Sequence, residues 1–93
     1  MTRIKVKQLV WDEWNREHIK KHNITIFEVE EAGNNLIYHK HSRKGRYLIT
    51  GRSATRLISV VVRRYRLGTY YPITARDASK KERKRVYEIE EKK

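Results

Sequence analysis

Lys21 and His22 stand side by side at the end of a helical pattern, and Arg76 closes the last strand-like run. These residue types suit RNA cleavage without a metal. That reaction needs a base for the 2′-hydroxyl, an acid for the departing 5′-oxygen, and cations around the pentavalent phosphate. Histidine has an intrinsic pKa of about 6.5, in range for proton transfer at neutral pH. Lys21 would add charge beside it. Arg76 sits directly before the Asp77–Ser79 turn, where a rigid scaffold can project it. The bland alternatives are concrete. His22 could cap the carbonyls at the helix C-terminus, and Arg76 could pair with Asp12 or Glu82.

Other chemistries have weaker signatures. His18 and His22 are one helical turn apart, and His39 and His41 share a strand face, so both spacings are chelate-like. Ile19 follows His18 where the zinc-protease helix motif has a glutamate. The basic block around His39 and His41 is a poor home for a dication. No metal and no other cofactor is expected. Glycines 33, 45, 51 and 68 do not form a phosphate-cradling loop and read as turns or bulges. Ser42, Ser53, Ser59 and Ser79 fall in loops, a buried strand and a cap. With no Cys, disulfides and cysteine-based zinc sites are excluded.

The elements that must position these residues follow from periodicity and capping. A weak alternation over residues 3–11 predicts a first strand. Asp12 then caps a helix over Glu13–His22, with Asn23 as its left-handed stop. Thr25 and Glu28 make a capping box, and Ile24 with Val29 a hydrophobic staple, so a second helix runs from Ile26 to Gly33. The period then changes to two. Strands are predicted over Leu36–His41, Arg46–Arg52, Leu57–Val62 and Tyr70–Ala75. Leu57–Val62 is apolar on both faces and should be central. Pro72 puts its strand at an edge or introduces a bulge. Ser79 and Glu82 form another capping box, opening a C-terminal helix whose thin apolar stripe is Val86, Ile89 and the Tyr87 ring. The expectation is one small α+β domain over residues 1–93, with an antiparallel sheet of four to five strands, two N-terminal helices and one C-terminal helix.

Charge points to the partner. The net charge is +12, and residues 37–76 contain ten basic residues, eight of them Arg, and no acid. The same block carries five of the six tyrosines. Arginine forks bind phosphate in a bidentate way and stack on bases, and basic residues interleaved with aromatics are a footprint of nucleic-acid binding. No run of 18 apolar residues exists, and Met1–Lys5 offers no signal-peptide core, so a cytoplasmic protein with no membrane partner is expected.

The ordered residues resemble the BrnT family of bacterial type II toxins. The resemblance covers residues 9–88. It rests on Trp11 and Asp12, the Lys21–His22 pair, and Glu28, Glu31 and Ala32. It continues through Gly51 and Arg52, Val60–Val62, the Thr74-Ala75-Arg76-Asp77-Ala78 run, and Glu82, Arg83 and Tyr87. Departures are Asn23 where the family usually has Gly, Gly45 before Arg46 where an acid is frequent, and Tyr71 and Pro72 before the Thr-Ala-Arg run. The resemblance implies a RelE-like fold and a ribonuclease that inhibits translation. It also implies a cognate antitoxin with an acidic segment, through which alone the complex would contact operator DNA. By that resemblance the catalytic candidates are Lys21, His22, Arg64, Arg76, Glu82 and Tyr87. His22 or Glu82 would act as base or acid, Lys21, Arg64 and Arg76 would stabilise phosphate charge, and Tyr87 would stack on a base. Arg46, Arg52, Arg56, Arg63, Arg66, Lys80, Lys81 and Arg83 would hold flanking RNA. Two alternatives stay open: a nucleic-acid-binding domain that does not cut, and a subunit whose basic surface only receives an acidic antitoxin segment.

Overall fold

The computed structural model describes residues 4–92; Arg3, the first residue of the predicted opening strand, lies outside them. The chain runs β1 (Gln8–Leu9), α1 (Glu13–Lys20), α2 (Ile26–Asn34), β2 (Leu36–His41), a 3₁₀ turn (Arg43–Gly45), β3 (Arg46–Ser53), β4 (Arg56–Arg66), β5 (Thr69–Asp77) and α3 (Lys80–Glu91). The strands form one sheet in the order β1-β5-β4-β3-β2. Strands β2 to β5 are antiparallel neighbours, while β1 joins β5 in parallel, which makes the sheet mixed. Of the predicted first strand, only Gln8 and Leu9 pair as strand, against Thr69 and Tyr70.

All three helices open with a reciprocal capping box. The Asn15, Glu28 and Glu82 amides donate to the Asp12, Thr25 and Ser79 side chains, and the Asn15, Glu28 and Glu82 side chains accept from the cap amides. Orphan donors at each N-terminus are thus satisfied locally. Asn23 adopts the left-handed conformation that stops α1, at φ 61°.

Alternation sends the two sets of strand side chains to opposite faces. One face packs under α1 and α2 and holds the main core, with Ile49, Ile58, Val60, Val62 and Ala75 against Ile19, Ile24, Val29 and Ala32. Gly51 sits on this face beneath α2, where a Cβ would collide with the Ala32 carbonyl. The opposite face carries α3 over one end only, where Val86 packs with Leu57, Ala78, Ile37 and Tyr38. Tyr87 is exposed and does not join that stripe. Strand β4 is central, as its two-sided apolar run requires. Pro72 lies in an interior strand. The register passes from Val61–Thr74 to Val62–Pro72, so Ile73 is an extra residue and the bulge absorbs the missing N–H.

Candidate functional site

The α3 side of the sheet carries a polar cluster where packing alone would place apolar side chains. Thr50 and Ser59 face each other across β3 and β4, and Ser59 and Arg76 across β4 and β5. Glu82, on the first turn of α3, reaches down into them and is only 6% exposed. Its carboxylate accepts from Arg76 Nη1 at 2.8 Å and Nη2 at 2.9 Å, from the Ser59 hydroxyl at 2.7 Å and from the Ser79 amide at 2.9 Å. Because the one hydroxyl hydrogen of Ser59 is donated to Glu82, Thr50 must donate to Ser59, at 2.7 Å. Burial pushes the Glu82 carboxyl up, but the Arg76 fork, the Ser79 amide and the Ser59 hydroxyl outweigh it and hold it down at about 2. The pair also raises Arg76, so both charges persist across the physiological range. The Arg76 side chain is itself 45% exposed, with its orientation fixed from below.

Towards the other end of the same face, beyond α3, the sheet is open. A groove of about 490 Å³ is lined by Val10, Asp12, Trp14, Arg46, Arg63, Tyr65, Tyr71 and Ile73. Tyr71 donates to both Asp12 oxygens, at 2.8 and 3.0 Å, and the Arg63 guanidinium lies 5.7 Å from the centre of the Tyr71 ring. The Asn15 amide and the Tyr71 hydroxyl hold Asp12 below its ordinary range, while burial and then Asp12 push Tyr71 up.

The residues singled out from sequence are thus placed in separate groups. Arg76 and Glu82 meet directly. Lys21 and His22 are exposed in the turn after α1. That turn is tied to the same end of the sheet through Arg56, which donates to the Asn23 carbonyl, Glu28 and Asp77. It belongs to the side covered by α1 and α2. Arg64 is exposed opposite Tyr70 on β5, towards the other end of that same side. Tyr87 is exposed on α3. Of the flanking cations, Arg52 is held by Glu90 at 2.8 Å and Arg56 by Asp77 at 2.7 Å and Glu28 at 2.8 Å. Asp77, then Glu28, raise Arg56. Arg46 and Arg63 line the open groove, Lys81 lines a second cavity beside α3, and Lys80, Arg83 and Arg66 are exposed. His18 stacks on Trp14 at 4.6 Å, and His41 meets Tyr47 edge-on at 4.9 Å. No three His, Asp or Glu side chains converge among the described residues. No helix there is long and apolar enough to cross a membrane.

Sequence reasoning missed Thr50, Ser59 and Trp14 as members of this face; Tyr65 and Tyr71 were among the tyrosines counted in the basic block, without a face assigned. The signal for Thr50 and Ser59 was present, since each is a hydroxyl inside an otherwise apolar strand. Their partner, Glu82, lies on another element.

No protein-family model and no curated protein matches the chain. Among solved structures it is similar to the ribonuclease toxin BrnT of Brucella abortus, known from a crystal structure at 1.1 Å. The two are 21% identical with a TM-score of 0.62, over 78% of this chain and 97% of that one. At this identity the likeness concerns the backbone. The chain has a small α+β fold similar to that structure's, a mixed five-stranded sheet with three helices among the described residues.

Proposed function

We propose that the chain is the toxin of a type II toxin–antitoxin pair, a cytoplasmic ribonuclease that inhibits translation by cutting RNA without a metal. The observation that carries this reading is the Arg76 fork anchored by the buried Glu82 network. Buried polar groups cost stability unless fully satisfied. Here their satisfaction holds a guanidinium in one orientation at the surface. The BrnT-like fold supports the same class. The reaction is attack of a 2′-hydroxyl on the adjacent phosphate, leaving a 2′,3′-cyclic phosphate and a free 5′-hydroxyl. Arg76 stabilises the phosphate charge, and Glu82, held as a carboxylate, positions Arg76 instead of trading protons. His22 is the proton-transfer group and Lys21 its cationic neighbour. Arg64 and Tyr87 contact RNA at the margins, with Lys80, Lys81 and Arg83 along α3. A cognate antitoxin with an acidic segment covers the basic surface and brings the complex to operator DNA.

A second reading is an RNA-binding domain that does not cut. It is favoured by one observation: Lys21 and His22 belong to the opposite side of the sheet from Arg76 and Glu82. Induction in a bacterial host separates the two. The first reading predicts growth arrest with the wild-type chain, relieved in His22→Ala and Arg76→Ala at equal protein levels. Growth unaffected by the wild-type chain counts against the toxin.

A further inference from the structure

The open groove beyond α3 has features that fold stability does not account for. Arg46 and Arg63 lie directly opposite each other on β3 and β4, on one face. Like charges in that position are destabilising. Neither side chain has an ion-pair or hydrogen-bond partner among the described residues, whereas Arg52, Arg56 and Arg76 each hold a carboxylate. The single acid lining the groove, Asp12, already accepts from Tyr71 and the Asn15 amide. The groove therefore presents two cations with unused donors. Arg63 rests its guanidinium over the Tyr71 ring, which leaves the N–H edge of the fork for an anion.

Aromatic rings stand beside these cations. Trp14 is 52% exposed and Tyr65 62% exposed, and both line the groove. One face of the Trp14 indole is taken by His18, with the planes 11° apart, so the ring is already held in a stacked orientation. The volume, about 490 Å³, is that of a site for a small molecule or one or two nucleotide units. Exposed flat rings alternating with unpaired arginines are the means by which proteins hold single strands: bases stack on the rings, and the cations track the backbone.

We propose that this groove is a stacking subsite for single-stranded RNA, with bases on Trp14 and Tyr65 and the intervening phosphate between Arg46 and Arg63. The proposal rests on the RNA-directed reading above and extends it to residues remote from the Arg76–Glu82 pair. It makes the substrate unpaired, because bases in a duplex expose no faces.

The test is the binding of a fluorescein-labelled hexaribonucleotide, 2′-O-methylated throughout so that it cannot be cut, measured by anisotropy. Trp14→Ala and Tyr65→Ala each weaken binding by about 5- to 100-fold. Trp14→Phe and Tyr65→Phe, which keep a ring, restore most of it. Arg63→Ala weakens binding and flattens its salt dependence, and a blunt duplex of the same length binds far less tightly. Phe27→Ala, which removes an exposed ring of α2, binds like wild type. If the wild-type chain binds the hexamer but the two ring-to-alanine variants bind equally well, the subsite is wrong and the RNA-directed reading stands. If the wild-type chain binds no oligonucleotide at low salt, both fall. Equal affinity for the duplex also overturns the subsite.

Discussion

Glu82 serves two purposes at once. It closes the capping box of α3 through the Ser79 amide, and it anchors the Arg76 fork. Replacing it with glutamine keeps the shape but removes the charge beneath Arg76. Glu82→Gln is expected to cost about 1–3 kcal/mol in urea melts at pH 7. The pH dependence has a definite sign. The carboxyl titrates at 4.5 when free and at about 2 in the fold, so the folded chain binds fewer protons between those values. Its contribution, on the order of 3 kcal/mol, is fully present above pH ~4.5 and lost as the pH falls through ~2. The gap between wild type and Glu82→Gln should therefore shrink between pH 6 and pH 2.5; a constant gap would mean that the carboxylate is not held by Arg76. The box was legible in the sequence, because Ser79 and Glu82 have the required spacing. The Arg76–Glu82 pair was one of two stated alternatives to a catalytic Arg76. The Thr50–Ser59 link beneath it was not legible, because it joins strands whose register only the folded sheet fixes.

Among the elements, α1 is pinned to the sheet by one buried side chain. Asn15 is fully buried, and its side-chain amide donates to the Val10 carbonyl at 2.9 Å and the Pro72 carbonyl at 3.0 Å. It thus joins the end of β1, the start of α1 and the bulge in β5. Asn15→Ala leaves those groups without partners and is expected to cost about 2–4 kcal/mol, read as a lowered Tm. No loss would show that water replaces the amide. The hairpin between β3 and β4 offers the opposite sign. Ala54 sits at φ 55°, a conformation that costs a residue with a Cβ. Ala54→Gly should raise stability by about 0.5–1 kcal/mol, visible as a higher urea midpoint. The helices and strands were largely legible, because capping boxes and a two-residue period are local signals. The parallel pairing of β1 was not, because two residues carry too little pattern to choose a neighbour at the far end of the chain. For Pro72, local chemistry narrowed the choice to edge or bulge, and the strand order decided it.

For the molecule as a whole, the charge of +12 divides into cations already paired and cations left open. Arg52, Arg56 and Arg76 hold carboxylates and bind helices to the sheet, which composition could not separate from cations facing a ligand. Arg46 and Arg63, with the exposed Lys80, Lys81 and Arg83 of α3, are the cations left open for the proposed RNA. If about four phosphates are held, binding to a single strand should weaken roughly 50-fold between 50 and 200 mM salt. A flat salt response would mean that the basic surface does not hold phosphates. The central claim, metal-independent cleavage of RNA, is tested most directly by incubating the purified chain with single-stranded RNA in excess EDTA and identifying the product ends. The wild-type chain should form fragments ending in 2′,3′-cyclic phosphate, reduced at least tenfold in Arg76→Ala. Intact RNA after prolonged incubation, or equal cleavage by Arg76→Ala, would contradict it.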